Sequence, residues 1–463
     1  MASLKHYLQP NPAFVKQLTF LALPIALQYL IISLLNILDV VLIEGLGDNA
    51  IAAVSLANQV NFVTTMLGFG VSSAAGAFIS QYIGAGSSEG VRKTTALSFL
   101  TIGSAAVLVA AVTLSFPKMM MHIFTSDETL VQLGSRYLPI VAPTYLMTGV
   151  TTLLSTLLRC TGRPKLPLVA SLVALSCNSL LNYLLIYGIG IFPRLEIAGA
   201  AVATLISRCI EIMMILLFVY RVCQKQYRPH LRDVRALDRA FAGHFYRKAV
   251  PVILNETVWG VGMAGYNMIY GRMGAAVVAA VNIASTLEQL FTVAFQGLSN
   301  ATLVILGREL GAGSFSRAKL HARQICLWIW IIGALVGLGM WSLSGIFVGT
   351  LFRNVTPETA ALARYVITVL AIYAPFKAFN FINIVGVLRS GGDTFFGFML
   401  DTTSIYCVGL PLCFLFGIVL KLPLYVVSPC VYLEEALKSI FGLRRMLTDR
   451  WARKFVKEGA YAD

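Results

Sequence analysis

Residues 221–240 read RVCQKQYRPHLRDVRALDRA, the longest polar stretch of the chain. On both sides the sequence is built of apolar runs. The chain has 463 residues, 57% of them hydrophobic and 12% charged, and a soluble domain carries about twice that charge fraction. Twelve runs are long enough to cross a bilayer as helices: roughly 14–44, 50–80, 93–116, 131–158, 166–191, 196–221, 246–271, 276–306, 320–350, 360–388, 394–418 and 422–443. Six precede the polar stretch and six follow it. The runs do not alternate apolar with polar residues, which excludes a transmembrane β-barrel. The first run is longer than a signal-peptide core and is expected to be retained.

The net charge of +15 does not mark a nucleic-acid partner. Basic residues collect in alternate loops: Arg92 and Lys93, Arg163 and Lys165, the 221–240 stretch, Arg317 and Lys319, and the tail with Arg444, Arg445, Arg450 and Arg453. Intervening loops hold few, among them Lys118, Arg194 and Lys421. This is the positive-inside pattern, and it puts both termini in the cytoplasm. The eight cysteines sit in or beside spans without a CxxC and are expected to behave as small hydrophobes.

The six-and-six division prompts a search for a repeat. Shifted by 227 residues, Pro24 falls on Pro251, Gly47 on Gly274, AAVS (52–55) on AAVN (279–282) and IGAGS (83–87) on LGAGS (310–314). Farther on, LRCTG (158–162) pairs with LRSGG (388–392), and Glu211 with Glu435. Each half has an even number of spans, so the halves run parallel, related by an axis along the membrane normal. The expected fold is an all-α integral membrane protein, with twelve transmembrane helices in two homologous six-helix bundles of pseudo-two-fold symmetry. The expected domains are 1–230, a linker 231–245, and 246–463. Two similar halves with a cleft between them suit an alternating-access transporter.

No HExxH, paired-His site, Ser/His/Asp set or GxxxxGK[ST] loop occurs, so the chain is expected to be no enzyme, to need no cofactor and to draw energy from an ion gradient. Ion coupling needs an ionisable group inside the membrane. A charge present in both halves belongs to the fold; a charge private to one half is the better candidate. Glu211 and Glu435 are shared, as are Arg159 and Arg389, which read as loop anchors, and Arg208 is placed to pair with Glu211. Asp39 is private, since its counterpart is Tyr266, and so is Glu256, whose counterpart is Tyr29. Asp39 lies mid-span in SLLNILDVVLIEG (33–45); Glu44 nears the outer end and reads as solvated. Asn178 and Asn182 lie four apart on one helix face, and Thr204 sits among small residues. With Asp39 these are oxygen donors for a proton or Na⁺. The ion-coupling candidates are thus Asp39, Asn178, Asn182, Thr204 and Glu256, with Asp39, Asn178 and Thr204 as a possible Na⁺ site. Tyr29, Trp259, Met263 and Tyr266 form a candidate substrate wall, because cations bind aromatic faces. Gln289 and Lys377 are added as polar intrusions, with Asp401 or Glu256 as expected partners for Lys377.

The chain resembles the multidrug and toxic compound extrusion (MATE) family. The residues that carry the resemblance are LALPIALQYLIISLLNILDVVLIEGLGDNAIAAVSLANQ in helices 1–2, LLRCTGRPKLPLVASLVALSCNSLLNYLLIYGIG in helices 4–5, IAGAAVATLISR in helix 6 and the echo VLRSGGDT. The resemblance implies two six-helix bundles and export of cationic or amphipathic compounds in exchange for H⁺ or Na⁺. The family's helix-1 aspartate matches Asp39, and its helix-5 asparagine and helix-6 threonine match Asn178 and Thr204. Asn182 stands where the archaeal-type ion site has an aspartate. Glu256 lies about a turn before the family's helix-7 glutamate, and the helix-10 aspartate of some branches has no match near Lys377. The sequence thus points to an antiporter of organic cations or amphipathic drugs, monomeric and multi-pass in a bacterial-type cytoplasmic membrane. The alternative is a flippase for a lipid-linked precursor; its large cationic cavity is disfavoured because Arg208 and Lys377 are the few deep basic residues.

Overall fold

The computed structural model describes residues 11–44, 48–352 and 355–456. The side chains of Asp39 and Glu44 lie outside the described set, although both residues belong to a described helix. Among the described residues twelve long helices follow one another: α1 Pro12–Glu44, α2 Asp48–Gly84, α3 Ser88–Ser115, α4 Glu128–Cys160, α5 Lys165–Tyr187, α6 Ile197–Arg221, α7 Arg239–Met273, α8 Ala275–Gly311, α9 Phe315–Leu351, α10 Pro357–Leu388, α11 Thr394–Val419 and α12 Leu424–Leu447. In lipid every backbone polar group must find its partner within its own segment, which a helix alone achieves for an isolated span. Ten of the twelve are apolar enough to be spans by composition alone; α7 and α12 are not. These two carry Glu256, and Glu434, Glu435 and Lys438, all buried.

Local chemistry sets the helix ends. The Ser87 hydroxyl accepts from the Gly90 amide, the Asp127 carboxylate from Thr129, and the Thr356 hydroxyl from Thr359, satisfying amides that the first turns leave free. At the end of α5, Gly188 takes a left-handed conformation (φ 68°) that closes the helix. Pro24 and Pro251, at matching places in the two halves, lie inside α1 and α7, and each removes one helix hydrogen bond. Wider, π-type turns occur at Ile382–Leu388 of α10 and at Ile405–Gly409 and Leu415–Val419 of α11.

The chain forms two compact units. One holds residues up to 26, 80–86 and 250 onward; the other holds 27–79 and 87–249. The start of α1 packs in the first: Phe14 stacks on His321 at 3.8 Å, and Gly297 of α8 lies against Ala22 and Ala26. The start of α7 packs in the second, where Phe245 meets Phe78 at 5.1 Å and the hydroxyls of Tyr246 and Thr101 are 2.8 Å apart. Both crossings fall within three residues of Pro24 and Pro251. The linker belongs to the second unit. Arg92 donates to Asp233 at 3.2 Å and to the Gln226 carbonyl at 2.8 Å, and burial pushes the Cys223 thiol above its ordinary range.

The repeat is written into contacts of the first unit. A Cβ at Gly84 would collide with the Arg308 carbonyl, and one at Gly311 with the Gln81 carbonyl. Gly84 and Gln81 are the counterparts of Gly311 and Arg308, so the ends of α2 and α8 touch reciprocally, backbone on backbone. Gln81, fully buried, also ties down the tail. Its Nε2 donates to the carbonyls of Ser390 (2.8 Å) and Arg453 (2.9 Å), and its Oε1 accepts from the Phe455 amide (3.0 Å). Trp451 is buried beside Gly391, where a Cβ would strike the Trp451 carbonyl.

Replacing Gln81 with Leu removes its hydrogen bonds to the Ser390 and Arg453 carbonyls and from the Phe455 amide, at about 1–3 kcal/mol for each buried group left unsatisfied. Expected are a lower unfolding temperature in detergent and faster tryptic cleavage at Arg453 and Lys454. Gly311→Val forces side-chain atoms onto the Gln81 backbone and is expected to destabilise by about 1–3 kcal/mol or more. Gly271→Ala, in open space, leaves the melting curve unchanged.

Candidate functional site

Each half buries a chain of polar side chains that begins on its first helix. In the N-terminal half, Arg159 Nη2 of α4 donates to Gln28 Oε1 of α1 at 2.6 Å. Gln28 Nε2 donates to Ser171 Oγ of α5 at 2.9 Å, and that hydroxyl donates to Glu211 Oε1 of α6 at 2.9 Å. Arg208 Nη1 closes the series on Glu211 Oε2 at 2.6 Å. The loop-anchor reading of Arg159 and Arg389 needs correcting: both are buried and reach inward, to Gln28 and to Glu256, because a guanidinium at this depth must find acceptors within the bundle.

The C-terminal half uses matching positions with more charge. Arg389 Nη2 of α10 donates to Glu256 Oε1 of α7 at 2.6 Å. Asn255, counterpart of Gln28, donates from Nδ2 to Asp401 Oδ2 of α11 at 3.1 Å, and Asp401 stands where the first half has Ser171. Lys438 Nζ of α12 bridges Asp401 Oδ1 (3.0 Å) and Glu435 Oε1 (3.5 Å). Glu435 also accepts from Asn380 Nδ2 at 2.6 Å, and Ser439 donates to Asn380 Oδ1 at 2.9 Å. Lys377 of α10 pairs with Glu288 of α8, not with Asp401 or Glu256. The Tyr266 hydroxyl of α7 donates to Glu434 Oε2 at 2.8 Å. Around this network runs an apolar core that includes Ile269, Ala284, Leu287, Ile367 and Val427.

The sequence-predicted residues fall into these surroundings as follows. Asn178 and Asn182 are buried on one face of α5, with Asn182 Nδ2 donating to Asn178 Oδ1 at 3.0 Å and Asn178 Nδ2 to Ser207 Oγ at 3.3 Å. Thr204 is half-buried; its hydroxyl donates to the Ala200 carbonyl, and its own carbonyl accepts from Ser207. These residues form one polar ladder between α5 and α6. Asp39 lies on α1, outside the described side chains. Tyr29 has the Arg159 guanidinium 5.4 Å from its ring centroid. Glu256 is engaged by Arg389, and Tyr266 by Glu434. Met263 packs on the C-terminal core, whereas Trp259 and Gln289 are exposed.

Gln28, Ser171, Glu434 and Lys438 were not singled out from sequence. The test of private charge finds the last two, because Glu434 and Lys438 align with Ile210 and Met214 when Glu435 is set on Glu211. Gln28 and Ser171 carry no charge, and only the packing of α1 on α5 reveals their role.

The profile of the MatE family matches residues 24–184 and 251–415, one segment in each half. The probable multidrug resistance protein NorM of Thermotoga maritima is 24% identical over 458 residues, covering 98% of this chain and 97% of that one. The uncharacterized transporter YisQ of Bacillus subtilis is 23% identical over 420 residues, covering 90% of each. A crystal structure of a MATE protein in complex with MaL6 superposes with a TM-score of 0.85 at 18% identity, over 96% of this chain and 98% of that one. The two matched segments, the twelve helices and the reciprocal contacts of α2 with α8 agree, and the chain belongs to the MatE family of multi-pass membrane transporters.

Proposed function

We propose that this transporter is an antiporter driven by an H⁺ or Na⁺ gradient, exporting cationic or amphipathic small molecules across a bacterial cytoplasmic membrane by alternating access, with both termini in the cytoplasm and a single chain as the working unit. The observation that carries the reading is the C-terminal network, where carboxylates outnumber the cations that pair with them inside the spans. Buried carboxylates are costly in a membrane and mark ion pathways. The printed name of the Thermotoga relative, a multidrug resistance protein, supports the substrate class.

Asp39 is the coupling carboxylate in this reading. It lies on α1, fifteen residues beyond Pro24, whose missing amide hydrogen bond makes that helix able to bend. An outward-open state takes up the ion at Asp39, with the Asn178, Asn182 and Thr204 ladder supplying neutral oxygens. Neutralising Asp39 lets α1 and its neighbours shift and releases the bound compound outward. The ion then leaves to the cytoplasm from the inward-open state. Glu256 serves as the C-terminal ion candidate. Tyr29, Trp259, Met263, Tyr266, Gln289 and Lys377 supply the aromatic and polar wall for the compound.

The test is efflux of a fluorescent organic cation from proteoliposomes under a pH gradient and under a Na⁺ gradient, imposed separately. Wild type is expected to respond to one of the two, which names the ion. Asp39→Asn is expected to fall to the leak rate. Equal efflux by both proteins rejects Asp39 as the coupling group, and no efflux under either gradient rejects the exchange reading.

A further inference from the structure

The charges of the C-terminal network do not balance. Four carboxylates, Glu288, Asp401, Glu434 and Glu435, share two ammonium groups. Lys377 is taken by Glu288, and Lys438 by Asp401 and Glu435. The neighbouring pair of Arg389 and Glu256 is already neutral. Among the described residues no ammonium or guanidinium lies within ion-pair distance of Glu434; its hydrogen-bond partner is the Tyr266 hydroxyl. Glu434 is only 4% exposed. Burial at this depth disfavours the ionised form of such a carboxylate, and the charge of nearby Lys438 offsets part of that cost.

The position within the repeat is equally telling. Tyr266 is the counterpart of Asp39. Where the first half has its private carboxylate on the first helix, the second half has a hydroxyl that holds a carboxylate delivered from α12. The space for it is kept by Gly409 of α11, where a Cβ would collide with both the Tyr266 hydroxyl and Glu434 Oε2. Gly409 ends one of the two π-type segments of α11, so the pair rests on an irregular stretch of helix, a kind of turn frequent at functional sites.

Unpartnered amides point at the same network. Asn255 is 6% exposed and donates to Asp401, yet its Oδ1 has no partner. Asn383 is fully buried, and both of its amide atoms lack partners. Its Nδ2 faces α12 at Gly442, one turn beyond Lys438. Each such atom left without a partner costs about 1–3 kcal/mol.

We propose that Glu434, held by Tyr266, is a proton-binding site of the C-terminal half, the repeat's counterpart of Asp39. One proton on Glu434 reduces the surplus of the network from two charges to one, and the Asn255 and Asn380 amide donors solvate the remainder. The other titratable groups near Glu434 are Tyr266 and Tyr270 of α7, Asp401 and Cys413 of α11, and Tyr432, Glu435 and Lys438 of α12; Lys377 of α10 and Glu288 of α8 complete the network. The site deepens the exchange reading, since two proton sites allow two protons per transport cycle.

The test is infrared titration of the full-length protein in detergent, following the carbonyl stretch of protonated carboxylic acids, with Asp39→Asn as background to remove the first site. It needs no transported compound, so its outcome is separate from that of the efflux assay. Expected is a band that fades as the pH is raised and is absent when Glu434→Gln is added. In Tyr266→Phe the band stays, and its midpoint moves to higher pH, because the lost hydroxyl donated to the ionised form. Tyr266→Phe removes one oxygen only and serves where Glu434→Gln does not fold. A band unchanged by Glu434→Gln, or a midpoint unmoved by Tyr266→Phe, overturns the site. A band removed at constant pH by sodium chloride but not by choline chloride makes the ligand a metal cation and overturns the proton assignment.

Discussion

A guanidinium in lipid has to be answered by acceptors, and that demand organises each half of this transporter. Arg159 reaches from α4 to Gln28 on α1, and Arg389 from α10 to Glu256 on α7. From there the polar chain runs on to α5 and α6, and to α11 and α12. Apolar side chains give helices in a membrane little reason to prefer one neighbour over another, because lipid is as apolar as leucine. The hydrogen-bonded chains supply the preference. They fix the first, fourth, fifth and sixth helices of each half against one another, and the apolar cores pack around them.

The two halves use this common frame differently. In the first, a hydroxyl and an amide connect two arginines to one glutamate, and the described network holds no surplus of carboxylates. In the second, Asp401 replaces the serine, Glu256 replaces a tyrosine, and Glu434 and Lys438 are added on α12. The helix carrying Asp401 is also the one with two π-type segments, and α10 has a third. Charge in excess of its partners and helices with irregular turns therefore coincide. A fold built twice from one plan has become asymmetric where proton chemistry is proposed.

Close backbone contact is the other organising feature. Gly84 and Gly311 let the ends of α2 and α8 touch, and Gln81 in the same turn holds the tail through two hydrogen bonds and the Ser390 carbonyl through a third. Two of the crossings of the chain between compact units, at 26/27 and 249/250, fall beside Pro24 and Pro251. A helix is weakest where an amide hydrogen is missing, which makes Pro24 and Pro251 the natural flexing points of α1 and α7.

The sequence by itself determined the helix count, the repeat and the class. Apolar run length, the loop distribution of arginine and lysine and the matched IGAGS and LGAGS segments depend on order along the chain, and lipid leaves an apolar run little choice but a helix. It also placed Asn178 and Asn182 on one face of α5, since residues four apart share a helix face. The tertiary structure alone decided who pairs with whom. Lys377 met Glu288, and Lys438 met Asp401 and Glu435. Glu434 was left to a tyrosine, and Arg159 turned inward from the loop it seemed to anchor. An ion pair between helices is set by their rotation and depth, which separations of a hundred residues and more do not encode; the balance of charge at each buried carboxylate appears only once the helices are packed.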